Sequence, residues 1–235
     1  MNTARYDRQI ILSEIGLEGQ EKLRQARVLV VGVGGLGSPL SLYLAGMGIG
    51  TIGLIDDDVV SISNLQRQVL YTESEVGQKK VTCAKRRLHA LNSEVNILEY
   101  PYRLTHENAL SIIKEFDIIV DGCDNYATRD LIDDVCRETG KVYVYGAIGA
   151  FGGQVAIFNH PDGHTRYRTL FPDALQSTIE SSSEEKRGVI GVTPGVIGLL
   201  EANEVVKIVC QIGQPLIDKL CVIDLLSLQT NIISL

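Results

Sequence analysis

Apolar residues come in short blocks along this chain, and the period changes from block to block. "RVLVVG" (27–32) is an almost unbroken apolar run of strand length, the pattern of a strand buried on both faces. It ends in glycines, and "GLGSPLSLYLAGMG" (35–48) then reads as a helix of small and apolar residues. "TIGLID" (51–56) is a second strand, and a polar loop leads to "GQKKVTCAKRRLHALN" (77–92), a helix with a basic outer face. The alternation continues: "NILEYPY" as strand, "HENALSIIKEF" as helix, "DIIVDG" as strand, "YATRDLIDDVCRETG" as a helix stopping at Gly140, and "KVYVYGAIG" as strand. Strands alternating with helices of this length predict a parallel sheet with right-handed crossovers.

Past Gly149 the pattern shifts. "GGQVAIFN", "TRYRTLF" and "KLCVIDLLSLQTNIISL" predict antiparallel strands that extend the sheet. Between them lies "DALQSTIESSSEEKRG" (173–188), polar and serine-rich, expected to be mobile. "TPGVIGLLEANEVVKIVC" (193–210) is expected to start a helix with Thr193 as cap and Pro194 at the first helical position. The fold class is α/β and Rossmann-like: a mainly parallel sheet flanked by helices, extended by antiparallel C-terminal strands. No repeat or linker divides residues 1–235, so one domain is expected, with a helical arm (1–26), a nucleotide-binding half (27–149) and a second half (150–235).

Composition narrows the function. A net charge of -7, from 22 Lys+Arg against 29 Asp+Glu, speaks against non-specific phosphate-backbone binding, and the lack of Trp with few aromatics speaks against a stacking surface for single-stranded nucleic acid. No signal core or membrane-length apolar run is present, so a cytoplasmic protein without a membrane partner is expected. Five scattered cysteines form no C-x-x-C pair and are expected to be buried, reduced thiols. His89, His106, His160 and His164 show neither metal nor triad spacing.

The chemistry begins at Gly32, Gly34 and Gly37, in G-x-G-x-x-G spacing between a strand and a helix. Glycines there let backbone N–H groups approach a phosphate at a helix N-terminus. Asp56 closes the next strand, placed to accept hydrogen bonds from ribose hydroxyls. Those features alone fit an NAD enzyme as well as an ATP enzyme. The segment that follows favours ATP: Asp58, then Asn64, Gln66, Arg67 and Gln68, then Lys79 and Lys80. Hydride transfer needs no such cluster of cations and amides, whereas nucleotidyl transfer builds charge on phosphate oxygens and leaving pyrophosphate. Of the two lysines, Lys80 is the better placed, since neighbours on a helix point apart. Asp121 and Asp124 end the strand in "DGCDN"; Asp121 is expected to cap the following helix, and Asp124 to face the ligand edge of the sheet as a Mg²⁺ ligand beside the triphosphate.

"RYDRQIIL", "VGVGGLGS", "IDDDVVSISNLQRQ", "GQKK", "DGCDN" and "VTPGVIG" occur in the order seen in the ThiF/MoeB/HesA family, prokaryotic relatives of ubiquitin-activating enzymes, and the chain resembles that family over nearly its whole length. The resemblance implies ATP- and Mg²⁺-dependent adenylation of the C-terminal Gly-Gly carboxylate of a small ubiquitin-like sulfur carrier, with release of pyrophosphate, for thiamine thiazole or molybdopterin synthesis. It further implies that Gly35 and Asp56 contact the nucleotide, that Ser63, Asn64, Leu65, Gln66, Arg67 and Lys80 hold it, and that Asp124 and Asn125 lie by the α-phosphate and metal. Arg8 resembles an arginine that crosses a homodimer interface into the partner's ATP site, so the resemblance makes the homodimer the functional unit.

Many relatives also carry a zinc site of two C-x-x-C pairs. Here Arg166 and Thr169, or their neighbours, stand where the first pair would fall, and no Cys lies near the second, so structural zinc is not expected. Residues 164–200 contain no Cys, so an enzyme-linked thioester from that segment is not expected either. Other readings are a tRNA-modifying dehydratase of the same superfamily, an NAD-dependent oxidoreductase, and a binding module without turnover.

Overall fold

The computed structural model describes residues 3–172 and 188–235. The expected mobile segment 173–188 therefore lies, except for Gly188, outside the described residues. Two helices, α1 (Thr3–Ile10) and α2 (Gly16–Gln25), precede β1 (Arg27–Val31), α3 (Gly37–Met47) and β2 (Thr51–Ile55). A loop with two short 3₁₀ turns leads to α4 (Lys80–Leu91), β3 (Asn96–Tyr100), α5 (Ala109–Ile113), β4 (Ile118–Asp121) and α6 (Tyr126–Thr139). Then follow β5 (Val142–Gly149), β6 (Gly152–Phe158), α7 (Tyr167–Leu170), α8 (Val192–Cys210), β7 (Lys219–Asp224) and β8 (Gln229–Ser234).

One eight-stranded sheet runs in the order β3-β2-β1-β4-β5-β6-β7-β8. The first five strands are parallel, and β6, β7 and β8 pair antiparallel onto their edge. The apolar runs behave as a two-faced strand must: Val28 and Val30 enter one core with α2, α3, α4 and α8, while Leu29 and Val31 enter the other with α5, α6 and α7. β5 repeats this, with Val142 and Val144 on one side and Tyr143 and Tyr145 on the other. Because β1 is flanked by β2 and β4, the direction of winding reverses between β1 and β4. A crevice opens at the carboxyl ends of those two strands, the place where such sheets bind ligands. No helix among the described residues is long and apolar enough to cross a membrane.

Two local expectations are corrected. "TRYRTLF" is not a strand; it holds the short helix α7. Its alternation reflects cross-chain pairing: Arg166 binds Asp133 at 2.9 Å, Arg168 binds Asp134 at 2.8 Å, and the Tyr167 N–H donates to Asp133 at 3.2 Å. Buried Tyr167 meanwhile joins Tyr143, Tyr145, Phe158 and Phe171 in an aromatic cluster. The helix expected from Thr193 starts earlier, with Gly191 as its N-cap, and the Thr193 hydroxyl donates to the Ala150 carbonyl at 3.2 Å instead of capping.

Glu201, on α8, is fully buried against the backbone of Gly146, and neither carboxyl oxygen has a hydrogen-bond partner among the described residues. Burial, followed by the field of Asp121, pushes its pKa well above the ordinary value of 4.5. A group held neutral in this way lends its full stability below the unfolded carboxyl's pKa and loses it as pH rises toward the folded value. Glu201→Met should therefore stabilise the fold at neutral pH by about 1–3 kcal/mol. Its advantage in melting temperature should widen as pH rises above the unfolded carboxyl's range. Thermal melts at rising pH check this, and an advantage that shrinks with pH would contradict it.

Candidate active site

The glycine turn is shaped by contacts that exclude side chains. Gly32 has φ +89°, and a Cβ there would stand 2.5 Å from the Gly122 carbonyl oxygen. A Cβ on Gly37 would overlap the Gly32 carbonyl. These two positions admit only glycine because the end of β4 and the first turn of α3 close directly onto the loop. Gly34 and Gly35 have more room: a Cβ on Gly35 would meet Pro194 at 3.2 Å and Arg67 Cδ at 3.7 Å. The glycine turn, the 63–68 segment and the first turn of α8 thus meet at one place.

Asp56 leaves β2 and turns its carboxylate back on the loop, accepting the Val33 N–H at 2.8 Å and the Asp58 N–H at 2.9 Å. Tyr71 fixes the same loop from below, its buried hydroxyl donating to the Val33 carbonyl at 2.7 Å. Burial, with the field of Asp56 next, drives the pKa of that hydroxyl far upward, so it stays a donor. Ser63, Asn64, Leu65, Gln66 and Arg67 form one tight turn, in which the Asn64 carbonyl accepts the Arg67 and Gln68 N–H groups. The Arg67 guanidinium donates to the Ser63 carbonyl at 3.2 Å. Gly191 packs so closely on the Gln66 carbonyl that a Cβ there would clash with it.

The lysine expectation matches the geometry. Lys79 is exposed and reaches the Asp57 carbonyl, whereas Lys80 is buried, with its ammonium 2.9 Å from the Asp58 carboxylate. Asp58 is 67% exposed, so this pair is open to solvent and not sealed in the core.

Asp121 is a correction. Its carboxylate is fully buried and caps no helix; Asn125 does that, its side-chain oxygen accepting the Thr128 N–H at 2.9 Å. Asp121 instead accepts from Arg129 at 2.8 Å, from the Tyr143 hydroxyl at 2.9 Å and from the Cys123 N–H at 2.9 Å. Burial opposes the charge on Arg129, but Asp121, together with Cys123, Tyr143 and Tyr145, outweighs it and raises the guanidinium's pKa. This buried group shapes the end of β4 and sets Asp124 beyond it. Asp124 is exposed and makes no hydrogen bond or ion pair among the described residues.

The carboxylates of Asp56, Asp57 and Asp58 come within 4.8 Å of one another. They are already engaged: Asp56 by two backbone N–H groups, Asp57 by Arg103 at 3.6 Å, and Asp58 by Lys80. Asp124, past the end of β4, has no such engagement among the described residues. Arg8 lies on exposed α1, likewise without a partner among the described residues. Sequence reasoning missed the Tyr71 and Arg129 anchors, for which no local spacing gives a signal. It also named Gln68 as a donor without showing that it is buried.

A protein of Thermus thermophilus named sulfur carrier protein adenylyltransferase is 47% identical over 226 residues, covering 94% of this chain and 83% of that protein. A probable molybdopterin-synthase adenylyltransferase of Porphyra purpurea is 44% identical over 205 residues, but this chain spans only 53% of its length. The crystal structure of E. coli MccB with ATP superposes with a TM-score of 0.87 at 26% identity, covering 99% of this chain and 72% of that one. The model of the ThiF family matches residues 6–235, from α1 through the glycine turn to the last strand, and the chain belongs to that family.

Proposed function

We propose that this protein activates the C-terminal Gly-Gly carboxylate of a small ubiquitin-like sulfur carrier by transferring AMP to it from ATP, with release of pyrophosphate. The enzyme is an ATP-dependent adenylyltransferase. The observation that carries the fuller reading is the convergence, at the sheet's switch point, of an open glycine turn, the Asn64–Arg67 donors and the buried Lys80.

The carrier's carboxylate attacks the α-phosphorus, a P–O bond to the carrier forms, and the bond to pyrophosphate breaks. No protein nucleophile is needed. The work of the site is to bring two anions into line and to offset the charge that separates them. Gly34 and Gly35 leave their backbone N–H groups open to the phosphates, Asp56 keeps acceptor capacity for ribose, and Arg67 and Lys80 supply fixed positive charge. Asp124 suits Mg²⁺, since it is an exposed carboxylate without a partner among the described residues, and the ion would neutralise phosphate oxygens. Ser63, Leu65, Gln66 and Asn125 complete the walls. Arg8, with no partner in its own chain among the described residues, reaches the triphosphate of a second copy in a homodimer. Residues 1–235 act as one cytoplasmic adenylation domain whose 150–235 half takes the carrier, for thiamine thiazole or molybdopterin synthesis.

The test is exchange of labelled pyrophosphate into ATP. Exchange is expected with a carrier ending in Gly-Gly and with Mg²⁺ present, and not with the same carrier lacking its last glycine. Exchange that ignores the carrier would contradict the proposal.

A further inference from the structure

α1 has 8 residues, and among the described residues of this helix only Tyr6 is buried. So short a helix does not persist in water by itself, and its place is fixed by what it touches. The last turn of any helix leaves carbonyls without partners, and α1 meets those of α3 and α4. The Gln9 amide donates to the Met47 carbonyl at 3.2 Å and to Gln20 Oε1 at 2.7 Å. Buried Gln20 donates to the same Met47 carbonyl at 3.0 Å. Arg5 donates to the Leu91 carbonyl at 3.0 Å. The Tyr6 hydroxyl accepts from the Asn92 amide at 2.8 Å, and that amide also donates to the Ala45 carbonyl at 2.8 Å. The Tyr6 ring lies on Gly48, where φ is +88° and a Cβ would stand 2.7 Å from the ring. α1 is thus a bar laid across the C-terminal ends of α3 and α4.

Those ends face away from the crevice. Met47 and Gly48 lead into the amino end of β2 at Thr51, and Asn92 leads into β3 at Asn96. The glycine turn opens α3 at its other end, Gly37. The 11 residues of α3 separate the two ends by about 15 Å, more than an arginine side chain spans. Tyr6 and Gln9, at i and i+3, share the docked face, while Arg8 is exposed and held by nothing among the described residues. Arg8 is therefore moored a helix length from the crevice of its own subunit.

We infer that Tyr6, with Gln9 beside it, is a positioning residue that pins α1 across the far ends of α3 and α4 and so presents Arg8 to the triphosphate of a second copy. Tyr6 touches no nucleotide; it acts through Arg8. The inference rests on the homodimer reading of Arg8 given above. An arm without this anchor would have to be ordered each time the partner's site fills, and that entropy would be lost from transition-state binding.

Tyr6→Ala should lower carrier-dependent pyrophosphate release by about tenfold to a hundredfold, the scale on which a misplacement of about 1 Å acts. Tyr6→Phe, which keeps the ring over Gly48, should retain most of the activity. Subunit exchange separates positioning from a structural role. In a mixed dimer of Tyr6→Ala and Lys80→Ala chains, the Tyr6→Ala site keeps Lys80 and receives Arg8 from an intact arm. Mixing should therefore restore activity as fully as mixing Arg8→Ala with Lys80→Ala. If the Arg8→Ala mixture recovers and the Tyr6→Ala mixture does not, Tyr6 shapes its own subunit's site; the inference is wrong and the homodimer reading stands. Full activity in Tyr6→Ala alone overturns it too, as does a Tyr6→Ala chain that no longer dimerises, since α1 would then hold the interface and not aim Arg8. If neither mixture recovers although mixed dimers form, the homodimer reading fails and this inference with it. Should Tyr6→Ala not fold, Gln9→Met, which removes the bonds to Met47 and Gln20, is read by the same exchange with the same outcomes.

Discussion

Lys80→Ala should reduce carrier-dependent adenylation by about 10²–10³-fold while the protein stays folded, the loss typical of removing one group that meets developing charge. The fold should survive because Asp58, the partner left behind, is 67% exposed and regains water in place of the ammonium. Arg8→Ala should be similarly inactive for a different reason: its guanidinium serves the other subunit's site. Mixing the two inactive proteins should then restore activity. A mixed dimer has one site with both Lys80 and Arg8 intact and one site lacking both. Random exchange between two symmetric dimers gives mixed dimers half the time, so roughly a quarter of wild-type activity should return. Steady-state pyrophosphate release before and after subunit exchange measures this. A mixture that stays inactive although mixed dimers have formed would place Arg8 within its own subunit's structure.

The second large effect concerns stability. Asp121→Ala strands the buried Arg129 guanidinium and also removes the acceptor for Tyr143 and the Cys123 N–H. Breaking a buried ion pair by deleting one partner costs about 3–5 kcal/mol. In a chain of this size, that should lower the melting temperature by roughly 10 °C. A double replacement, Asp121→Ala with Arg129→Met, should recover much of the loss, because no charge is then left buried without a partner. Denaturation curves of the three proteins decide it. An unaltered melting temperature in Asp121→Ala would mean that this pair does not hold the end of β4.

The sequence showed most of what depends on local pattern. The runs at 27–32, 51–56, 117–122 and 141–149 are strands because they are apolar at successive positions, as strands covered on both faces must be. The G-x-G-x-x-G turn could be located because strand, glycines and helix adjoin in the chain. That Lys79 and Lys80 differ in exposure was also legible, since a helix sends adjacent side chains apart. What escaped depends on partners distant in sequence. "TRYRTLF" alternates like a strand, but three aspartates on α6 and an aromatic cluster set its conformation. Asp121 sits where helix caps sit, yet Arg129 and Tyr143 draw its carboxylate inward, and Asn125 takes the capping role. Thr193 and Pro194 had the form of a helix start, but Thr193 is buried against the Ala150 carbonyl. Glu201 gave no signal, because a glutamate in an amphipathic stretch reads as a surface residue until Gly146 is found beneath it.

The account turns on where the AMP goes. Intact-mass spectrometry of a Gly-Gly carrier incubated with the protein, ATP and Mg²⁺ answers that directly, with a tandem fragment to locate the adduct. The predicted result is a carrier heavier by one AMP group at its C-terminal carboxylate, formed with pyrophosphate and absent when the terminal glycine is removed. A carrier that stays unmodified while ATP is consumed, or AMP found on any other atom, would contradict it.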